Sequence, residues 1–480
     1  MNDRKGFGSN FGFLMAAVGS AVGLGNIWGF PNKMGANGGF PFLILYLALA
    51  LCCGVIIMLG ELALGRKTGH GAVGAYQSIS KRFKWLGWLG IAAAALIFSF
   101  YSALGGYCLR YVVVNFGNLI GAEFGTNGVG GADVFQGLLS QPDVSIAFAL
   151  AFMFITMLVV MSGVGGGIER VCSVGMPALF FILIICIIRS CTLPGAADGL
   201  KYMFVPGWAV ANGIIDEAPG FWRVLTAAGG QMFFSLSLGA GVMITYGSYL
   251  DKKQDLGKST MIIVGMDTVV ALMAGLCVIP GRFALDPNGA LGGPELLFIT
   301  MQNVFDKMGP AGPVFGILFY LLVFFAAISS SISMLEVIVA HFCDKAREKG
   351  KGDRRKLYSA IAVVICAALC ALVCADGMGS NHISPAELLG LAGAKLPGWS
   401  TSWLGLFDSV AEGLLMPLGA LLMCLMISWE LKPDALRQEI LLNGENRPWV
   451  YDFFRLCVKY ITPLCMLMIL YGQISDFFIA

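Results

Sequence analysis

Long unbroken runs of apolar residues set the pattern of this chain. Alternating or heptad patterns are not its theme. A bilayer core takes about 20 apolar residues per helix. Eleven runs reach that length, near residues 11–35, 41–65, 87–119, 144–163, 168–191, 220–250, 259–281, 311–342, 357–375, 403–430 and 453–478. The pattern predicts an all-α polytopic membrane protein with eleven transmembrane helices. A further apolar stretch near 292–307 is too short to span and predicts an extracellular hairpin or re-entrant loop. No Gly/Ser-rich linker interrupts the runs, so residues 1–480 read as a single transmembrane domain.

The polar segments between the runs give orientation, because Lys and Arg collect in cytoplasmic loops. Segment 66–84 carries Arg66, Lys67, Lys81, Arg82 and Lys84. Segment 251–258 carries Lys252, Lys253 and Lys258, and 344–356 carries seven basic residues from Lys345 to Lys356. With eleven helices these three loops share one side. The loop 120–143, on the other side, has no Lys or Arg. The expected topology has a cytoplasmic N-terminus and an extracellular C-terminus in the cell's inner (plasma) membrane. The basic run 345–356 reads as a solvated cytoplasmic loop more readily than as a lipid-headgroup site.

Composition sharpens this picture. The chain is 57% hydrophobic and 12% charged, with mean hydropathy +0.79. Soluble domains carry about 25% charge, so apolar side chains must face lipid as well as a core. A net charge of +2 argues against a nucleic-acid partner. The three histidines, His70, His341 and His382, are too scattered for a metal cluster. The 14 cysteines lie mostly inside apolar runs, as at Cys366, Cys370 and Cys374, where cysteine packs as a small hydrophobe. Gly, Asn and Pro break the first run, so no cleavable signal is expected there.

Two spans depart from plain lipid-facing helices. The first holds Gly19-Ser20-Ala21-Val22-Gly23-Leu24-Gly25-Asn26, and the sixth holds Ser235-Leu236-Ser237-Leu238-Gly239-Ala240-Gly241. Each mid-helix glycine costs roughly 1 kcal/mol. Close packing of helices through small residues accounts for the glycines alone. It accounts less well for two interruptions five helices apart, a spacing expected of repeated halves in secondary transporters. Glu61, Asp267, Glu336 and Asp408 fall within or near spans. Acids at that depth are costly and face the protein interior. For Glu336 the residues suggest only an interhelical hydrogen bond.

The segment from Ala21 to Pro31, Ala-Val-Gly-Leu-Gly-Asn-Ile-Trp-Gly-Phe-Pro, resembles the first-helix signature of the neurotransmitter:sodium symporters. The likeness runs along nearly the whole chain and includes Gln231 to Gly239, Ser329-Ser330-Ser331 and Lys459 to Pro463. It is nearest to the bacterial amino-acid branch of that family. The resemblance implies two inverted five-helix repeats, about 11–191 and 220–430, with helices 1 and 6 broken and an extra helix at about 453–478. It implies sodium-coupled symport of a neutral amino acid by alternating access, with membrane lipid as the only other partner and a monomer or weak dimer as the unit. A proton-coupled carrier on the same scaffold, with Asp267 exchanging the proton, is the nearest alternative. A non-transporting amino-acid sensor is another. No paired catalytic constellation suggests an enzyme.

The same resemblance implies two Na⁺ ions. The first would be held by the Ala21 and Ser235 carbonyls and the Asn26, Ser235 and Asp267 side chains. The second would be held by the carbonyls of Gly19, Val22 and Ala326 and the hydroxyls of Ser329 and Ser330. Taken singly, such serines more often bond the preceding helical turn. The substrate would lie among Ser20, Ala21, Gly23, Leu24, Gly25, Ile97, Tyr101, Phe234, Ser235, Ser237, Ala240, Ser330 and Met334. Tyr101 would bond its carboxylate, and Phe234 would form the aromatic lid. Taken singly, Ile97 and Met334 read as core residues. Gly23 stands where monoamine carriers of the family have aspartate, which favours a substrate bringing its own carboxylate. Ala240 stands where a bulky aromatic occurs in a bacterial member, so a large side chain is expected, Trp, Phe, Tyr or Leu before Gly or Ala. Ala271 replaces a glutamate that substitutes for chloride in bacterial members, while Asp267 brings negative charge into the first sodium shell. No chloride requirement is expected.

The gates follow the family only in part. Arg4 resembles the cytoplasmic gate arginine, with Asp344 as its partner, although an ordinary juxtamembrane charge is the plainer reading of Arg4. Phe7 stands where tryptophan is usual. Gly29 replaces the outer-gate arginine while Asp408 keeps the acid, so the usual outer pair cannot form. Gly167 and Pro177 resemble a motif linked to unwinding of helix 5, or mark a tolerated kink. Glu61 resembles a family acid that supports the unwound first helix.

Overall fold

The computed structural model describes residues 7–126, 128–288, 291, 293–352, 354–390, 398–441 and 448–478. Among them every regular element is helical. The helices used below are α1 (Asn10–Ala21), α2 (Gly25–Ala36), α3 (Phe40–Thr68), α4 (Lys81–Ile120), α5 (Gly131–Leu139), α6 (Pro142–Met161), α7 (Val164–Cys191), α8 (Ala196–Phe204), α9 (Phe221–Ser235), α10 (Val242–Gly247), α11 (Leu256–Leu285), α12 (Met301–Lys307), α13 (Gly312–Glu348), α14 (Arg355–Asp376), α15 (Trp403–Leu431) and α16 (Trp449–Ser475). Nine are long and apolar enough to cross a bilayer, and α1 with α2 forms a tenth candidate, bent by 43°.

The expected span at 220–250 is two short helices, α9 and α10, with residues 236–241 unwound between them. Its length alone therefore does not mark it as a span. The stretch 292–307 is helical from Leu296, with a π-helical turn Leu296–Thr300 leading into α12. The short helices α5 and α8 lie outside the predicted runs. Both have one apolar face and are too short to register as spans.

Local chemistry explains the breaks. α1 starts at Ser9, whose Oγ accepts from Gly12 N at 2.9 Å, an N-cap satisfying one orphan donor. It stops at Val22, which is extended with ψ 95°. In the second break Gly239 and Gly241 have φ of +78° and +74°, a conformation that costs glycine little. Ser237 also has φ +53°, a cost of order 1–3 kcal/mol for a non-glycine. Its Oγ bonds the Ser20 carbonyl across the two breaks at 3.1 Å.

α4 and α13 pack along much of their length, and α13 also touches α6, α7, α14 and α1. α11 packs on α7, α8 and the two halves of the first bent pair. Glycines bring backbones close. A Cβ at Gly65 of α3 would stand 2.0 Å from the Ile244 carbonyl of α10, and one at Gly247 would stand 2.5 Å from the Leu62 carbonyl. Outward faces are apolar, as at Val174, Phe181 and Ile188 on α7, Val364 and Ile365 on α14, and Leu464 and Tyr471 on α16. Apolar surface on this scale suits a lipid surround.

Candidate functional site

The two unwound stretches meet in the middle of the bundle, where helical bonding leaves backbone groups free. Their partners are supplied by side chains. Leu24 N donates to Tyr101 OH at 2.7 Å, and Gly23 N donates to Asn26 Oδ1 at 3.0 Å. Gln231 Nε2 donates to the Gly25 carbonyl at 2.6 Å. Such breaks survive at membrane depth only when buried in protein and satisfied there.

On one side of the first break, Asp267 gathers three donors. Asn26 Nδ2 reaches Oδ1 at 2.7 Å, Ser235 Oγ lies 2.9 and 3.0 Å from the two oxygens, and Tyr46 OH reaches Oδ2 at 3.1 Å. Asp267, Asn26 and Tyr46 are fully buried. On the other side, α13 brings hydroxyls against the carbonyls of α1. Ser329 Oγ lies 3.4 Å from the Val22 carbonyl and 3.0 Å from that of Ala326. Ser330 Oγ lies 3.4 Å from the Gly19 carbonyl and 3.1 Å from that of Ser20. Hydroxyl bonds normally measure 2.5–3.0 Å. The 3.4 Å contacts are therefore weak. Both clusters are sets of hard oxygens, the donors a hard cation prefers.

Between the clusters, Gly23 has no room for a side chain. A Cβ there would stand 2.1 Å from Ser330 Oγ and 2.5 Å from Tyr101 OH. Phe234 lies over Tyr101, with ring centroids 6.2 Å apart, and a Cβ at Gly25 would stand 3.0 Å from the Phe234 ring. Ser20 Oγ is buried without a partner among the described residues, an atom with spare capacity for a polar ligand. Ile97, Ala240 and Met334 are buried. Ala240 packs near Gly90, where a Cβ would meet its carbonyl carbon at 3.2 Å. The residues expected to share a site therefore lie on the elements that converge here.

The model of the sodium:neurotransmitter symporter family matches residues 4–127 and 133–478. The chain belongs to this family. It is a sodium-dependent, multi-pass membrane transporter and not an enzyme. The transporter is 36% identical over 477 residues to the sodium-dependent transporter YhdH of Bacillus subtilis, across 97% of each chain. It is 29% identical to a sodium-dependent transporter of Methanocaldococcus jannaschii, over 99% of this chain and 91% of that one. Its fold matches the crystal structure of MhsT in complex with L-phenylalanine, with TM-score 0.83 and 33% identity over 98% of this chain and 100% of that one.

The transporter's acids need two corrections. Glu61 holds the break of the sixth span and not that of the first, since its Oε1 accepts from Gly239 N at 2.7 Å. Helix α3 brings it against α10 because glycine contacts draw those backbones together. Glu336 makes more than a hydrogen bond. Arg355 grips it with two contacts, at 2.5 and 3.0 Å, and Tyr249 OH adds one at 2.6 Å. Arg355 had been counted only as part of a basic loop.

At the end of the bundle where α1 starts, Arg4 lies outside the described residues, so its pairing with Asp344 has no geometry. Asp344 Oδ2 accepts from Gly71 N at 3.1 Å, and Oδ1 lies 4.0 Å from Arg347. Phe7 packs edge-on against Phe13, Tyr246 and Tyr249. Beside it opens a cavity of about 750 Å³ lined by Gly8, Gly163, Gly165, Gly166, Asp344 and Arg355, among others. α7 opens with a π-helical turn through Gly167 and stays helical through Pro177. At the opposite end of the bundle, Asp408 lines a cavity of about 310 Å³ with Lys33 and Glu412, which form an ion pair. The local pattern pointed to neither Tyr46, Gln231, Lys33 nor Glu412. Each becomes legible only once the breaks are in place.

Proposed function

We propose that this transporter carries a neutral amino acid with a large hydrophobic or aromatic side chain, together with two Na⁺ ions. The observation that carries this reading is the pairing of two buried oxygen clusters on either side of Gly23. The first ion would sit among the Ala21 and Ser235 carbonyls, Asn26, Ser235 and Asp267. The second would sit among Gly19, Val22, Ala326, Ser329 and Ser330. The substrate carboxylate would lie at Gly23, near Tyr101 and the second half of the broken helix, whose N-terminal end favours an anion. Its side chain would extend toward Ile97, Ala240 and Met334 beneath Phe234. MhsT, solved with L-phenylalanine, and insect sodium-dependent nutrient amino acid transporters at about a quarter identity support an amino-acid substrate. Two five-helix repeats, with a cytoplasmic N-terminus and the plasma membrane as location, complete the reading.

Chloride independence follows from Asp267. Two cations at mid-membrane call for anionic compensation, because uncompensated buried charge costs several kcal/mol. The carboxylate of Asp267 and that of the substrate supply it, and Ala271 offers no further acid. The test is uptake of labelled phenylalanine into proteoliposomes under a sodium gradient, in chloride and then in gluconate. Equal rates are expected in the two anions, with no accumulation in potassium. A rate that collapses in gluconate removes the role of Asp267, and accumulation driven by a proton gradient in potassium favours the proton-coupled carrier.

A further inference from the structure

Position 29 has no side chain to carry an outer gate in this chain, yet a partly buried ion pair lines the same cavity as Asp408. A Cβ on Gly29 would stand 2.9 Å from Gln231 Oε1, and Gln231 is itself committed to the Gly25 carbonyl. Lys33 lies four residues further along α2, on the same helical face. Glu412 lies four residues beyond Asp408, within the π-helical segment Ser409–Leu415 of α15, a distortion that often marks functional positions. Lys33 Nζ and Glu412 Oε1 are in contact, with side chains 23% and 9% exposed. They join the outer half of the first broken span to α15.

A third helix is fitted to this pair. Gly230 of α9 has no side chain where one would strike it. A Cβ would stand 2.7 Å from Glu412 Oε1, 2.9 Å from Gln473 Nε2 and 3.6 Å from Lys33 Nζ. Gln473 of α16 bonds the Thr226 carbonyl of α9 at 3.3 Å, and Arg223 of α9 bonds the Ala36 carbonyl at the end of α2 at 3.2 Å. Four helices are thus drawn together at one point. The cavity immediately outside is lined by Lys33, Arg223, Asp408, Glu412 and Gln473.

We propose that Lys33 and Glu412 are the latch of the outer path, each four residues further along its helix than Gly29 and Asp408, with Gly230 as the seat that lets it close. The proposal rests on the transport reading above. A lysine suits a latch that must release, because its ammonium is a compact, strongly hydrated point charge, whereas arginine locks a carboxylate in a rigid fork. Asp408, one turn nearer the start of α15 and beside Glu412, offers the ammonium a second carboxylate as the helices part.

The test reads opening directly. An Ala227→Cys reporter on the cavity wall is labelled by a membrane-impermeant thiol reagent in nanodiscs, with the parent protein as background for its own cysteines. Labelling is timed in sodium, in sodium with phenylalanine, and in potassium. In the reporter alone, sodium should speed labelling and phenylalanine should slow it. Lys33→Met, Glu412→Gln and Gly230→Ala should each raise the phenylalanine-protected rate about 3- to 10-fold, the effect of a partly buried pair. The exchange Lys33→Glu with Glu412→Lys should restore protection, and Lys33→Arg should slow opening in sodium. Unchanged protection in Lys33→Met and Glu412→Gln would overturn the latch while leaving transport intact. An exchanged pair as open as the single variants would also overturn it, since lost packing would then be the cause. A reporter that responds to neither sodium nor phenylalanine would remove the transport reading and the latch with it.

Discussion

Removing Arg355 should destabilise the transporter more than removing its partner. Glu336 is fully buried at its side chain, Arg355 is 15% exposed, and the two share a bidentate contact. Arg355→Met leaves a buried carboxylate with only Tyr249 OH, at 2.6 Å, to compensate it. Breaking a buried pair in this way costs about 3–5 kcal/mol. Glu336→Gln is milder. The amide can still accept from Tyr249, and the guanidinium has a route to water, so the loss should be about 1–3 kcal/mol, that of an imperfect hydrogen bond. The double variant should resemble Glu336→Gln, because no orphan charge remains. The coupling energy then equals the Arg355→Met loss in size, about 3–5 kcal/mol, at or above the top of the range seen for contacting residues. Thermal inactivation of the purified protein, followed as the decay of sodium-dependent substrate binding at one temperature, measures it. If the loss appears in the unfolding rate, 3 kcal/mol shortens the half-life roughly 100-fold. Additive single effects, or equal losses from Arg355→Met and Glu336→Gln, would refute the reasoning.

Three further outcomes are expected. Asn26→Ala and Ser329→Ala each remove an oxygen from a different cluster, so both should weaken phenylalanine binding in sodium at least tenfold by scintillation proximity; normal binding by both in potassium would contradict the cation sites. Ala240→Phe should shift preference toward smaller amino acids in competition assays, because one methylene in an apolar pocket is worth about 1–3 kcal/mol; a wild-type preference for glycine would contradict the pocket reading. Gly23→Ala places a Cβ 2.1 Å from Ser330 Oγ and 2.5 Å from Tyr101 OH, so it should abolish phenylalanine binding while the protein still elutes as a monodisperse peak; retained affinity would mean that this space is not where the carboxylate lies.

Much of this architecture is legible in the sequence because lipid imposes a length scale. Nine of the eleven runs match long helices within a few residues, except where α13 runs on into the basic segment to Glu348, while 11–35 and 220–250 are each broken in two. The breaks were legible because glycines and small polar residues cluster there against a strong apolar background. Partner choice was not. Glu61 pairs with Gly239 across 178 positions, and Lys33 pairs with Glu412 across 379. No periodicity records such distances, and an acid in a span announces only that it has a partner. The resemblance points to positions 29 and 408, while the charges that meet lie one turn further along each helix. The short helices α5 and α8 were missed for a different reason. Their apolar faces are covered by neighbouring loops and helices, so they never needed the length of a span.

The contact of Gly65 and Gly247 with the carbonyls of Ile244 and Leu62 has a mechanical consequence. Two backbones that approach without intervening side chains have no soft layer in which to slide. Glu61 adds a pin from the same helix to Gly239, at the start of the next segment. The inner half of the sixth span is thereby riveted to Phe40–Thr68, and any tilt of one must carry the other. Flexure is left to residues 236–238, before the pinned Gly239, where Ser237 already holds a strained backbone. The piece that swings is then a two-helix plate turning on the short strap 236–238, and its lever arm is set by the length of Phe40–Thr68, not by the few turns of Val242–Gly247.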